Sequence, residues 1–155
     1  MLADSSVWVA HFRKSNGVLQ SMLAADRVLC HPLIVLELAC GTPPAPRGRT
    51  LGDLRKLQQS VIATTEETIE LIDREQLQDL GCGAVDMSLR SSVLLTTGAL
   101  LWTVDKNLDA LAKRLDVAFH SEERMCRWLT MGTGDGAEHQ PCQRPAAGPA
   151  PRPWH

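Results

Sequence analysis

No apolar run in the 155-residue chain approaches the roughly 20 residues needed to span a bilayer. No transmembrane helix is therefore expected. The opening Met-Leu-Ala-Asp lacks the basic residues and apolar stretch of a signal peptide, so a cytoplasmic location is the expectation. The cysteines stand at positions 30, 40, 82, 126 and 142, and no two have the spacing of a zinc or redox pair. Cys30 and Cys40 lie in apolar contexts and read as reduced core residues, and disulfides are not expected. A basic excess is missing too. Lys and Arg number 16 against 18 Asp and Glu, a net charge of −2, where proteins that bind nucleic acid are usually basic. The histidines at 11, 31 and 120 are spread out and form no ligand pair, so none is assigned a catalytic role.

What is present is an alternation of short apolar runs with longer amphipathic ones. Strands are expected at residues 2–5, 27–30, 61–63, 100–104 and 117–119. A helix through Val7, Trp8 and Phe12 follows the first, and a second segment runs through Val18, Leu19, Met22 and Leu23. His31-Pro32 opens a helix, since proline suits a first turn, and Cys40-Gly41 closes it. Residues 42–48 read as a Pro-rich loop. Leu51, Leu54 and Leu57 share one face of the next helix. Thr65 begins another, with Glu66, Glu67 and Glu70 near its positive end. A break at 80–83 precedes a helix over 85–97, and Asp105 starts one more through Leu108, Leu111, Ala112 and Leu115. Such alternation argues an α/β fold with a central parallel sheet flanked by helices on both faces. Trp8 and Trp102, each beside an apolar run, are expected in the core. The folded domain is expected over 1–129, with a last helical turn near 122–128. The Gly-, Pro- and Ala-rich segment 130–155 holds too little apolar surface to order itself.

Four acidic residues stand in unusual places. Asp4 and Asp105 follow predicted strands, at the carboxyl edge where open α/β sheets carry their sites. Asp86 begins an apolar helix. Each of the three has an ordinary alternative, as a helix N-cap. Glu37 sits within Leu33-Ile34-Val35-Leu36-Glu37-Leu38-Ala39, a helix apolar all round and so expected to be buried. A carboxylate there must be paired, neutralised or bound to a cation. Several carboxylates on one edge repel one another unless a cation compensates. Oxygen-only ligands suit Mg²⁺ or Mn²⁺ rather than zinc.

In their order along the chain, several segments resemble the PIN-domain ribonucleases, specifically the VapC-like toxins of bacterial toxin–antitoxin pairs. They are Asp4-Ser5-Ser6-Val7-Trp8, His31-Pro32-Leu33 with Glu37-Leu38-Ala39-Cys40-Gly41, Gly83-Ala84-Val85-Asp86 with Leu89, and Leu101-Trp102-Thr103-Val104-Asp105-Lys106-Asn107-Leu108. The resemblance implies a PIN-like fold and magnesium-dependent endonucleolytic cleavage of RNA. Asp4, Glu37, Asp86 and Asp105 would be the catalytic, metal-holding acids, and Ser6 would support metal or water. It also implies a homodimer, inhibited by a small VapB-like antitoxin that reaches into the acidic groove. The chain departs from the family pattern in Ser5, where threonine is more usual, in Val104, where a basic residue is common, and in the small Ala3 of its first strand.

Arg47 and Arg49 in the Pro-rich loop, Arg90 one turn beyond Asp86, and Lys106 are the cations expected to meet RNA phosphates. Two other functions share the pattern: an RNA-processing nuclease without a toxin role, and a PIN-like module that binds protein without cleaving RNA. A haloacid-dehalogenase-like phosphatase would need a second aspartate where Ser6 stands. A receiver domain would need paired acids on the first strand.

Overall fold

Four two-residue strands carry the sheet in the computed structural model, which describes residues 1–78 and 80–119. They are β1 (Leu2–Ala3), β2 (Leu29–Cys30), β3 (Gln58–Gln59) and β4 (Leu101–Trp102). The order is β3-β2-β1-β4 and every pairing is parallel. Leu2 pairs with both Leu29 and Leu101. A further parallel bridge joins Leu101 to Ala118, held by Leu101 N–H to the Val117 carbonyl and Phe119 N–H to the Leu101 carbonyl, 2.7 Å each. The strand expected at 117–119 is thus a single rung. Both residues of β1, β2 and β4 are buried. Adjacent strand residues point to opposite faces, so the sheet is covered on both sides, as parallel sheets are.

Seven helices are described: α1 (Ser5–Arg13), α2 (Gly17–Ala24), α3 (Pro32–Cys40), α4 (Arg47–Lys56), α5 (Thr65–Glu75), α6 (Ala84–Leu95) and α7 (Lys106–Arg114). Their starts are encoded locally. Asn16 caps α2 through Oδ1. Thr64 and Glu67 close a reciprocal capping box on α5. The main core gathers Leu2, Val7, Trp8, Leu19, Ile34, Leu89, Leu101 and Trp102 around the sheet. Trp8 also donates its indole N–H to the Ala3 carbonyl at 3.1 Å, so both expected core tryptophans are buried.

Three local expectations need correction. The third strand is Gln58–Gln59, not residues 61–63. Beyond Ser60 the chain leaves the sheet. The N–H groups of Val61 and Ala63 then go to the hydroxyls of Thr96 and Ser92 on α6, and Ile62 is 58% exposed. The loop expected at 42–48 gives way to α4 at Arg47. Helix α3 is not buried all round: Leu36 is 57% exposed, and Cys40, expected in the core, lies at the surface. The last helical turn and the tail expected beyond residue 119, with Cys126 and Cys142, lie outside the described residues.

Thr64→Ala removes one half of the α5 capping box. It is expected to lower stability by about 1 kcal/mol, read as a lower urea midpoint at unchanged slope. An unchanged midpoint would mean that the box does not hold the helix.

Candidate active site

The strand order places β1 in the middle, with β2 on one side and β4 on the other. The order in which strands are added reverses between β1 and β4, the chain running outward from β1 through β2 to β3 before returning to β4 on the other side, and in open α/β sheets the crevice beyond such a switch point holds the ligand. Asp4 leaves β1 at this point, its N–H bound to the Trp102 carbonyl at 2.9 Å. Asp105 lies three residues beyond β4.

The Asp4 carboxylate is buried and held from several directions. Its Oδ2 accepts from Ser6 Oγ at 2.6 Å, Thr103 Oγ1 at 3.0 Å and the Ser6 N–H at 3.3 Å. Ser5 Oγ donates to Oδ1 at 3.4 Å. The two hydroxyl oxygens then accept from the next backbone groups of the β4–α7 turn. Val104 N–H donates to Ser6 Oγ at 3.2 Å, and Asp105 N–H to Thr103 Oγ1 at 3.0 Å. A hydroxyl has one proton to give. Both protons go to Asp4, so Ser6 and Thr103, 3.3 Å apart, share none between them. Asp105 caps α7 by accepting from the N–H groups of Asn107 and Leu108, 2.9 Å each; both bonds fall on Oδ1, and Oδ2 is not used by the cap. Thr103 therefore ties the two strand-end aspartates together. It was missed in the sequence because it looks like one more β-branched strand residue. Its signal is a hydroxyl in the otherwise apolar run from Leu100 to Val104.

Glu37 comes from α3 and Asp86 from the first turn of α6. Burial pushes the Glu37 carboxyl above its ordinary range, and the negative charges of Asp4 and Asp86 push it further, against a hydrogen bond from Ser5. Glu37 thus feels two of the other three acids. Asp86 also accepts from the Gly83 N–H through Oδ2 at 3.0 Å, forming the cap of its own helix. Asp4, Asp86 and Asp105 thus all act as helix caps, the ordinary role expected of each. Among the described residues, no three acidic, histidine or cysteine side chains stand close enough to coordinate one ion as placed. The acids share an edge without closing on a common point. Their chemistry fits a hard cation: they offer oxygen ligands alone, and like charges already act on Glu37.

The cations fall differently from expectation. Arg90 is fully buried, and its Nε and Nη2 have no hydrogen-bond partner. Nη1 points to the Met87 sulfur at 3.5 Å. Its guanidinium is enclosed in the protein, so a phosphate cannot reach it as it stands. Arg47 and Arg49 lie in the first turn of α4 and not in a loop. Arg47 donates to the Ala39 carbonyl at 2.7 Å, and Arg49 approaches Asp53 at 3.9 Å. Lys106 is exposed beside Asp105.

Two predictions follow from these environments. A carboxyl whose pKa is raised on folding stabilises the protein only below its unfolded value, and that contribution is lost as pH rises through the folded value. Glu37→Gln should therefore raise the melting temperature of chelator-treated protein at pH 7.5, and the gain should vanish near pH 4.5, the ordinary carboxyl value. An equal gain at both pH values would contradict the electrostatic cause. Replacing a buried, poorly partnered charge by an apolar side chain of similar size is often neutral or stabilising. Arg90→Met should melt no lower than the parent, whereas a fall of several degrees would show that the guanidinium is paired in solution.

No family model matches the chain. Ribonuclease VapC32 of Mycobacterium tuberculosis, in strain H37Rv and in strain CDC 1551, is 40% identical to it over 122 residues, covering 79% of this chain and 98% of that protein. The matched length exceeds the 119 residues that hold the sheet and all four acids. At that identity and coverage, the chain belongs to the VapC family of ribonucleases.

Proposed function

We propose that the protein is an endoribonuclease whose Asp4, Glu37, Asp86 and Asp105 hold Mg²⁺, or Mn²⁺, against the scissile phosphate of RNA. The observation that carries this reading is the network in which Ser6 and Thr103 bind Asp4 and connect it to the backbone of Asp105 at the sheet's reversal point. Two hydroxyls that spend their protons on one carboxylate hold it aimed, as a ligand for a cation must be. When bound, the ion would supply Lewis acidity toward the phosphate and make a water more acidic.

The chain's own residues do the rest. Ser5 lies against both Asp4 and Glu37 and sets the spacing between β1 and α3. Lys106, exposed at the first position of α7, is the cation best placed to meet a neighbouring phosphate. Arg47 is engaged with the end of α3 and is less suited to that role.

The kinship with a protein named Ribonuclease VapC32 supports a toxin role, restrained by a small antitoxin of the VapB kind. Such a partner would carry a cationic side chain to the acids, and the active form would be a homodimer. No helix among the described residues is long and apolar enough to cross a membrane. One observation favours the other reading, a protein-binding module without activity: the acids do not converge as placed.

Cleavage of a labelled structured RNA by the purified chain, freed of any co-purified partner, separates the two. Activity should require Mg²⁺ and disappear with chelator. It should fall on the order of a hundredfold or more in Asp4→Asn and in Asp86→Asn. Equal cleavage by all three proteins would reveal a contaminant. Absence of cleavage in the parent would favour the binding module.

A further inference from the structure

Helices α3 and α6 carry two of the four acids; the backbone of α3 comes nearest to α1 and α4, that of α6 to α5, and both helices add apolar side chains to the main core. A buried polar link also joins them. His31, the N-cap of α3, is 1% exposed, and Ser92 on α6 is fully buried. His31 Nδ1 accepts from the Leu33 N–H at 3.1 Å. Its ring proton must then be on Nε2, which lies 3.2 Å from Ser92 Oγ and donates to it. Ser92 gives its own proton to the Ser88 carbonyl at 2.8 Å and accepts a second bond from the Ala63 N–H at 3.0 Å. Every donor and acceptor of the pair is used, in one arrangement only. Burial lowers the His31 pKa, which keeps the ring neutral as this arrangement requires.

The positions of the link and the acids are matched. Glu37 comes six residues after His31, and Asp86 six before Ser92. His31 faces Ser92, while Glu37 feels the charge of Asp86, so the two helices run antiparallel past each other. The link lies about 9 Å along each helix from its acid, at a rise of about 1.5 Å per residue. Because its donors and acceptors allow one arrangement only, this link limits how far α3 can slide or swing relative to α6.

We propose that His31 and Ser92 are positioning residues, a buried strut that fixes the separation of Glu37 and Asp86 and so the readiness of the acidic site to take a divalent cation. The inference rests on the metal-dependent reading above. Neither residue touches substrate or ion.

The test is Mn²⁺ binding, followed by electron paramagnetic resonance, in the full chain and in His31→Asn, Ser92→Ala and the double variant, with melting curves alongside. Asparagine is a good N-cap but too short to reach Ser92, so His31→Asn keeps the start of α3 and removes only the strut. Each single variant should remain folded and bind Mn²⁺ roughly tenfold more weakly. The double variant should bind no more weakly than the worse single one, because both changes break one link. A purely structural role would lower melting temperatures and leave Mn²⁺ affinity alone. Unchanged affinity in both single variants, or additive losses, would overturn the strut while the metal site stands. Failure of the parent chain to bind Mn²⁺ would overturn the metal-dependent reading and the strut with it.

Discussion

One buried carboxylate, that of Asp4, organises the site. It stands at the end of the central strand, where burial of a charge would be costly without partners. The chain meets that cost with two hydroxyls and a backbone N–H on a single oxygen. The same hydroxyls take the N–H groups of Val104 and Asp105. Loss of Asp4 would therefore disturb the turn that presents Asp105 as well as the site itself. Helix α1 begins on this residue, and the parallel register of β1 with β4 fixes how close the two strand ends come. Fold and site meet in one side chain.

The other half of the site is less rigidly made. Glu37 arrives on α3, which follows β2, and Asp86 on α6, which follows another helix, α5. Burial, and after it the like charges of Asp4 and Asp86, raise the Glu37 carboxyl above its ordinary range. An edge of this kind resists closing on itself without a compensating cation. The near-neutral surface of the whole chain fits such a division of labour. Bulk attraction for RNA is weak when few cations release counterions, so recognition falls to the acidic edge and its few neighbouring cations.

Much of this was legible in the sequence, for identifiable reasons. Strand ends followed by capping residues are readable locally, and that was enough to place Asp4, Asp86 and Asp105. Each serves as a helix cap, so the ordinary reading holds for all three, and the proposed role would be added to it. Glu37 was found by an argument only partly sound, since Leu36 beside it faces outward. What stayed hidden depends on tertiary context. β3 is polar because it is an edge strand, so apolar Val61 and Ile62 drew attention to the wrong segment. Spacing put Arg90 near the face of Asp86, but spacing cannot say that the arginine is enclosed while the aspartate stays partly open. Thr103 and the His31–Ser92 pair act across 99 and 61 residues of chain, beyond the reach of any local pattern.

The central claim is that these acids gather around a divalent cation at the reversal point of the sheet. Anomalous diffraction from crystals of the chain grown with Mn²⁺ tests it most directly. The account predicts one strong peak bounded by the carboxylates of Asp4 and Asp86, with Glu37 or Asp105 completing the oxygen ligands. A well-ordered site without such a peak, or Mn²⁺ bound only elsewhere, would contradict it.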